Sequence, residues 1–185
     1  MNNNSHIISI LNSRKNLLDI LETRNYDVNS YKNDGINEIG ILAEQDQLDM
    51  FCESNSNKIY IKYYLNKILK PQNIYNFIED LFYLENMISK KDDLIIVIKD
   101  EPNDTLIQTV KDIWMNENIY ISLINIKRLQ FNILKHSLVP KHSILNKNQE
   151  KDFKKKYNII DNSQIPTISY FDPVSLVMGI RPNNI

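Results

Sequence analysis

Hydrophobic positions along the chain follow two periods in turn. Over residues 5–24, Ile7, Ile10, Leu11, Leu17, Leu18 and Leu21 recur at helical spacing, while Asn12, Arg14, Lys15, Asp19 and Glu22 fall mostly on the opposite side. This predicts a core-facing amphipathic helix, with Ser5 as its N-cap. Residues 29–46 are polar and hold the turn signal Asp34-Gly35, so they read as a loop with room for one short element. The period then drops to two. Residues 47–53 and the β-branched, aromatic residues 58–65 flank Ser54-Asn55-Ser56-Asn57, which predicts a hairpin.

A wide apolar face formed by Ile74, Phe77, Ile78, Leu81, Phe82, Leu84 and Ile88, with Pro71 at its start, predicts a helix through residue 89. The aliphatic run at residues 94–98, set between charges, reads as a strand buried on both faces. Asn103 or Asp104 caps a helix to about Asn116, and residues 119–126 form another strand. Strand, helix, strand with a buried first strand implies a βαβ crossover and a partly parallel sheet. The pattern changes around residues 128–134 without a Gly/Ser-rich linker, so two closely joined domains are expected. Beyond the change, Asn146 caps a lysine-rich helix over residues 147–157. The rest reads as short extended segments punctuated by Pro166, Pro173 and Pro182.

Composition narrows the function classes. Among the 185 residues, 22 basic side chains balance 23 acidic ones for a net charge of −1, which supplies no global basic field to hold a duplex. The single Cys52 excludes an intrachain disulfide and points to a reducing compartment. The start lacks the charge and the apolar run of a secretory signal, and the longest apolar stretch is far below a membrane span. A soluble, intracellular protein is expected, with no membrane and no small-molecule ligand. Heavy use of Asn, Ile and Lys hints at an AT-rich genome, such as that of a large DNA virus or a protist.

Candidate chemistry is sparse. His136 and His142 lie six residues apart with Pro140 between them, which no single helix turn can bring onto one metal, and no Cys or carboxylate cluster completes a tetrahedral set. Cys52 has no basic neighbour in sequence to activate it. With Gly35, Gly40 and Gly179 as the only glycines, a phosphate cradle of loop amides is not expected, and no cofactor is implied. On the lysine-rich helix, Lys151, Lys154 and Lys155 read as a solvated face, with Phe153 and Tyr157 as an aromatic stripe packed inward.

The densest pattern lies near the C-terminus. His136, Leu138, Val139, Pro140 and His142 are followed by a helix, then Ile165-Pro166-Thr167-Ile168, then Asp172-Pro173-Val174 and Gly179. This order and spacing resembles the assembly domain of subunit five of nuclear RNA polymerases, whose archaeal counterpart consists of this domain alone. Arg14-Lys15 and Asn25-Tyr26 resemble the family's opening helix, which carries Arg-Lys and ends in Arg-Gly-Tyr; Asn25 stands where the family has Gly.

The resemblance implies a two-domain α+β or α/β protein. Residues 1–128 would form an N-terminal jaw domain, a restriction-endonuclease-like mixed sheet with flanking helices, near downstream duplex DNA. Residues 129–185 would form a small α+β assembly domain that lacks its last strands, because the family continues past Gly179 further than Ile185. The implied function is that of a non-catalytic subunit of a multisubunit DNA-directed RNA polymerase. Its partners would be the largest subunit and other polymerase subunits. Its location would be the nucleus, or a viral factory or virion. The subunit interface would comprise His136, Leu138, Val139, Pro140, His142, Pro166, Asp172, Pro173, Val174 and Gly179.

Two alternatives stay open: a stand-alone nucleic-acid-binding factor, disfavoured by net charge, and a metal-dependent nuclease. The nuclease would need Asp49 on the first hairpin strand and a second carboxylate two residues before Lys62, where Tyr60 stands instead. The family's DNA-proximal segment before the second crossover helix is replaced by Pro102-Asn103-Asp104-Thr105 after Asp100-Glu101, whose carboxylates would repel phosphate.

Overall fold

A computed structural model describes residues 3–185. Its centre is a four-stranded sheet in the order β1 (Met50–Glu53), β2 (Lys58–Tyr64), β3 (Asp93–Ile98), β4 (Tyr120–Asn125). The β1–β2 pair is the expected antiparallel hairpin, whereas β2–β3 and β3–β4 are parallel. Parallel neighbours need helical crossovers. These are α3 (Pro71–Ile78) and α4 (Asp104–Glu117). The result is a mixed sheet between helical layers, as the strand and helix periods indicate.

Alternation sorts the sheet's side chains onto two cores. Ile59, Ile61, Ile95, Val97 and Ile124 face α1 (Asn3–Thr23), where they meet Ile10, Leu17 and Leu21. Leu94, Ile96, Ile98, Ile121 and Leu123 face α3 and α4, where they meet Ile74, Ile78, Val110 and Ile113. Every residue of β3 and of β4 is buried, which is why the run at 94–98 carries no polar alternation.

Several local expectations change. Ser5 lies inside α1 rather than capping it, since the helix already includes Asn3. Arg14 is on the buried side of α1, only 2% exposed. Its guanidinium pairs with Asp34 at 2.8 Å and donates to the Leu48 carbonyl. The polar stretch after α1 holds a helix, α2 (Ile36–Glu44), started by Gly35 with Glu38 reaching back to the Gly35 N–H at 2.9 Å. The helix expected to reach residue 89 ends as α3 at Ile78 and continues as a π-helical turn, Glu79–Leu84. Asp49 immediately precedes β1 instead of lying on it.

The free edge of β1 is guarded. The Tyr31 hydroxyl accepts from the Phe51 N–H at 3.0 Å and donates to its carbonyl at 3.2 Å, and the Asp27 N–H donates to the Glu53 carbonyl. Such plugging removes the template that an open edge offers to other chains. No helix among the described residues is long and apolar enough to cross a membrane.

Candidate functional site

The matched C-terminal pattern begins where the chain leaves β4. A first stretch is strapped to α1. The Asn16 side chain donates to the Leu129 carbonyl, Asn132 donates to Asp19 at 2.5 Å, and Lys135 pairs with the same carboxylate at 2.7 Å. These donors hold the Asp19 carboxyl below its usual range, the Lys135 hydrogen bond most of all. Past Lys135 the chain lifts off, and none of residues 136–169 is fully buried.

The histidine loop is shaped by its own imidazoles. Nδ1 of His136 accepts the Leu138 N–H at 3.2 Å, while the Val139 N–H donates to the His136 carbonyl. Nδ1 of His142 lies 2.7 Å from the Pro140 carbonyl oxygen, so it is the protonated nitrogen of that ring. The two rings thus brace the turn that carries Leu138, Val139 and Pro140. Leu138 is 84% exposed at the tip, with Pro140 exposed and Val139 half-buried. Phe131, itself exposed, packs its ring 6.1 Å from that of His136. The three apolar loop residues therefore find no shelter in this chain's own core.

His142 and Pro166 are brought together on one groove of about 540 Å³, with Ile144, Ile168, Tyr170 and Ile180 among its lining. The Ser175 hydroxyl also lines it, buried and without a hydrogen-bond partner.

The other half of the pattern has a different place. Asp172-Pro173 starts a helix, α6 (Pro173–Met178), where extended chain was expected. Oδ1 of Asp172 accepts the Val174 N–H at 2.8 Å, Pro173 occupies the first turn, and Gly179 closes the helix at φ +68°. Val174, Leu176 and Val177 are buried against α1 and β4. The Ser122 hydroxyl donates to the Leu176 carbonyl at 3.3 Å, and the Tyr170 hydroxyl donates to the Ile121 carbonyl at 2.9 Å. The α6 segment thus covers the second edge of the sheet, with Val174 buried and Asp172, Pro173 and Gly179 half-buried.

A three-residue ionic clasp, which the sequence pattern does not announce, fastens this segment. Asp93, at the start of β3, takes Arg24 from the end of α1 at 2.5 Å on one oxygen and Arg181 at 2.8 Å on the other. Gly179 packs directly on the Arg24 guanidinium. Asn25, at φ +65°, supplies the left-handed helix end that brings Arg24 and Tyr26 to this point. A carboxylate heading an aliphatic buried strand was the one available signal, because such a charge needs a partner.

The nuclease geometry fails for a concrete reason. Oδ2 of Asp49 accepts from the Tyr60 hydroxyl at 3.0 Å and from Lys62 at 2.6 Å, and Oδ1 accepts from the Tyr63 N–H at 2.9 Å. Both oxygens are spent on the chain's own donors. Among the described residues no three His, Cys, Asp or Glu side chains are grouped to hold a metal. Cys52 is buried, and burial pushes its thiol up to about 11, which leaves it unreactive at neutral pH.

The family model "RNA polymerase Rpb5, C-terminal domain" matches residues 131–185, which include the histidine loop, the groove and α6. A DNA-directed RNA polymerase subunit, Rpo5, of Pyrococcus abyssi is 41% identical over 56 residues, covering 30% of this chain and 67% of the relative. The chain belongs to the Rpb5 family of RNA polymerase subunits. Similarity to Rpb5 relatives also extends over the N-terminal part. The subunit rpabc1 of DNA-directed RNA polymerases I, II and III of Dictyostelium discoideum is 24% identical over 179 residues, 95% of this chain and 87% of the relative. The subunit 5A of DNA-directed RNA polymerase V of Arabidopsis thaliana is 23% identical over 181 residues, 94% and 78% respectively. Within the Rpb5 match, residues 136–169 hold no fully buried residue, whereas Val174, Leu176 and Val177 of α6 are buried.

Proposed function

We propose that this chain works as a non-catalytic subunit of a multisubunit DNA-directed RNA polymerase and docks on the largest subunit through its histidine loop. The observation that carries the docking reading is Leu138, an 84% exposed leucine at the tip of a loop braced by two imidazoles, inside the segment matched by the family model. A preformed apolar turn binds with little ordering cost. His136, Leu138, Val139, Pro140, His142 and Pro166 supply the contact surface, and α6 with Asp172, Pro173, Val174 and Gly179 fixes its position. Residues 129–185 serve as the assembly domain.

Residues 1–128 serve as a jaw domain of restriction-endonuclease-like descent beside downstream duplex DNA. What supports this is the mixed sheet between helical layers, together with an Asp49 carboxylate that accepts three hydrogen bonds from the chain's own donors and has no second carboxylate beside it at Tyr60. Phosphodiester chemistry then belongs to the large subunits. The location is intracellular, in the nucleus for a cellular enzyme or in a viral factory for a viral one.

The test is affinity purification of the tagged chain from its native source. Large polymerase subunits should co-purify, and the isolated chain should cleave no DNA. Recovery of the chain alone, or metal-dependent DNA cleavage lost in Asp49→Asn, would overturn the reading.

A further inference from the structure

Helix α5 (Lys147–Lys156) has no fully buried residue, and a capping box at Asn146 and Gln149 starts it. From Lys135 to Tyr157 the sequence carries seven lysines against two carboxylates, in a chain whose net charge is −1. On α5 four of the five lysines are sorted to one side, and Lys156 lies on the other, over the Tyr157 ring. At 3.6 residues per turn, Lys147, Lys151, Lys154 and Lys155 fall within an arc of about 100° that holds no acidic and no apolar residue. Glu150 and Asp152 flank the arc. Phe153 and Tyr157 pack ring on ring at 4.9 Å on the far side, with Phe153 half-buried and Tyr157 exposed. Lys154 is tied to Glu150 at 2.5 Å, while Lys147, Lys151 and Lys155 are exposed and make no ion pair among the described residues.

We infer that this face of α5 binds the phosphate backbone of nucleic acid, independently of sequence and separately from the histidine loop. An all-lysine face is poor protein-docking chemistry, because interface cores are depleted of Lys and enriched in aromatic residues. A regularly spaced row of ammonium groups instead suits a polymer with regularly spaced charge. With the aromatic rings turned away, no base stacking accompanies the contact, so sequence preference is absent.

Three free lysines set the magnitude. Neutralising about three phosphates of duplex DNA gives a slope near −2.7 for log K against log salt, so affinity falls about 40-fold between 50 and 200 mM salt. The experiment is fluorescence anisotropy of a labelled 30-base-pair DNA duplex and of single-stranded RNA titrated with the full chain over that range. The Lys151→Gln/Lys155→Gln variant should leave a slope near −0.9, an approximately 3.5-fold loss over the same range. The corresponding Arg variant should bind like wild type, as should Lys67→Gln/Lys70→Gln, which removes two exposed lysines elsewhere. The RNA arm shows whether the strand bound is duplex or single. No binding at 50 mM salt, an unchanged slope in the α5 Gln variant, or competition by polyglutamate equal to that by DNA would each overturn the assignment. The last outcome would make the face a docking site for acidic protein. Circular dichroism confirms that each variant is folded.

Discussion

Gly179 offers a sharp test of how the C-terminal segment is fastened. Replacing it by Ala has two consequences. The first is backbone strain: φ is +68°, and an L-residue held in the left-handed region costs about 1–2 kcal/mol. The second is a collision. The added Cβ would overlap the Arg24 guanidinium, lying 2.9 Å from Cζ, with Asp93 Oδ2 only 3.1 Å away. Arg24 must retreat, and Asp93, with a side chain only 8% exposed, loses one of its two cations. Arg181 still holds the other oxygen, so this loss falls toward the low end of the roughly 1–3 kcal/mol range for an unsatisfied buried group. Together these give about 2–4 kcal/mol of destabilisation. Gly40 is an internal control of opposite sign. It sits inside α2, where a Cβ would meet only the Ile7 side chain at 3.5 Å, and Ala there should stabilise by up to about 1 kcal/mol. Urea unfolding followed by circular dichroism reads both changes from the midpoints. A Gly179→Ala variant within about 0.5 kcal/mol of wild type would refute the clasp geometry.

Two further outcomes follow from the fold. Tyr31→Phe removes the hydroxyl that satisfies both backbone groups of Phe51, so it should cost about 1–3 kcal/mol in urea unfolding and raise aggregation through the opened β1 edge. Asp92 is raised by burial, but bonds from the Lys58 N–H and from the Ser89 N–H and hydroxyl outweigh this and hold it below its usual value. A depressed folded-state pKa contributes stability above the ordinary value of 3.8 that is lost as pH falls through the depressed one. Asp92→Asn should therefore be less stable at pH 7 and lose less between pH 5 and pH 2; equal slopes for the two proteins in that window would contradict this.

What could be read from the chain was governed by locality. The buried run at 94–98, the Asn103 and Asn146 caps and the hairpin turn at residues 54–57 each carry their signal within a few residues, and each element formed there. Helix α2 was legible only as one short element in a loop, because Asp34-Gly35 reads as a turn; the Glu38 carboxylate that accepts the Gly35 N–H marks its start. Helix α6 was hidden because Pro173 reads as a breaker, while in the first turn it is a starter. The burial of Arg14 depends on Asp34 and the Leu48 carbonyl, and the Arg24–Asp93–Arg181 clasp joins residues 69 and 88 positions apart. Such pairings leave no periodic trace. Among the expected interface residues, the sequence order could not separate the exposed histidine loop from α6, whose Val174, Leu176 and Val177 are buried, since both are apolar and Pro-bounded. The aromatic stripe of α5 was expected to pack inward; Phe153 and Tyr157 instead pack mainly on each other.

The proposal that the exposed histidine loop anchors this chain to the largest polymerase subunit is tested by co-purification. That subunit is recovered with tagged wild type, with Leu138→Ala/His142→Ala, and with Lys154→Ala/Lys155→Ala, each confirmed folded. Leu138 is too exposed for its truncation to disturb this chain's own core, and His142→Ala removes a brace of the same loop, so a loss in a folded variant reports the loop. An interface anchor is worth about 2 kcal/mol or more, which is roughly a 30-fold loss of affinity. The loop variant should recover little or none of the largest subunit, while the lysine variant should recover it as wild type does. A folded loop variant that assembles normally would contradict the anchoring role.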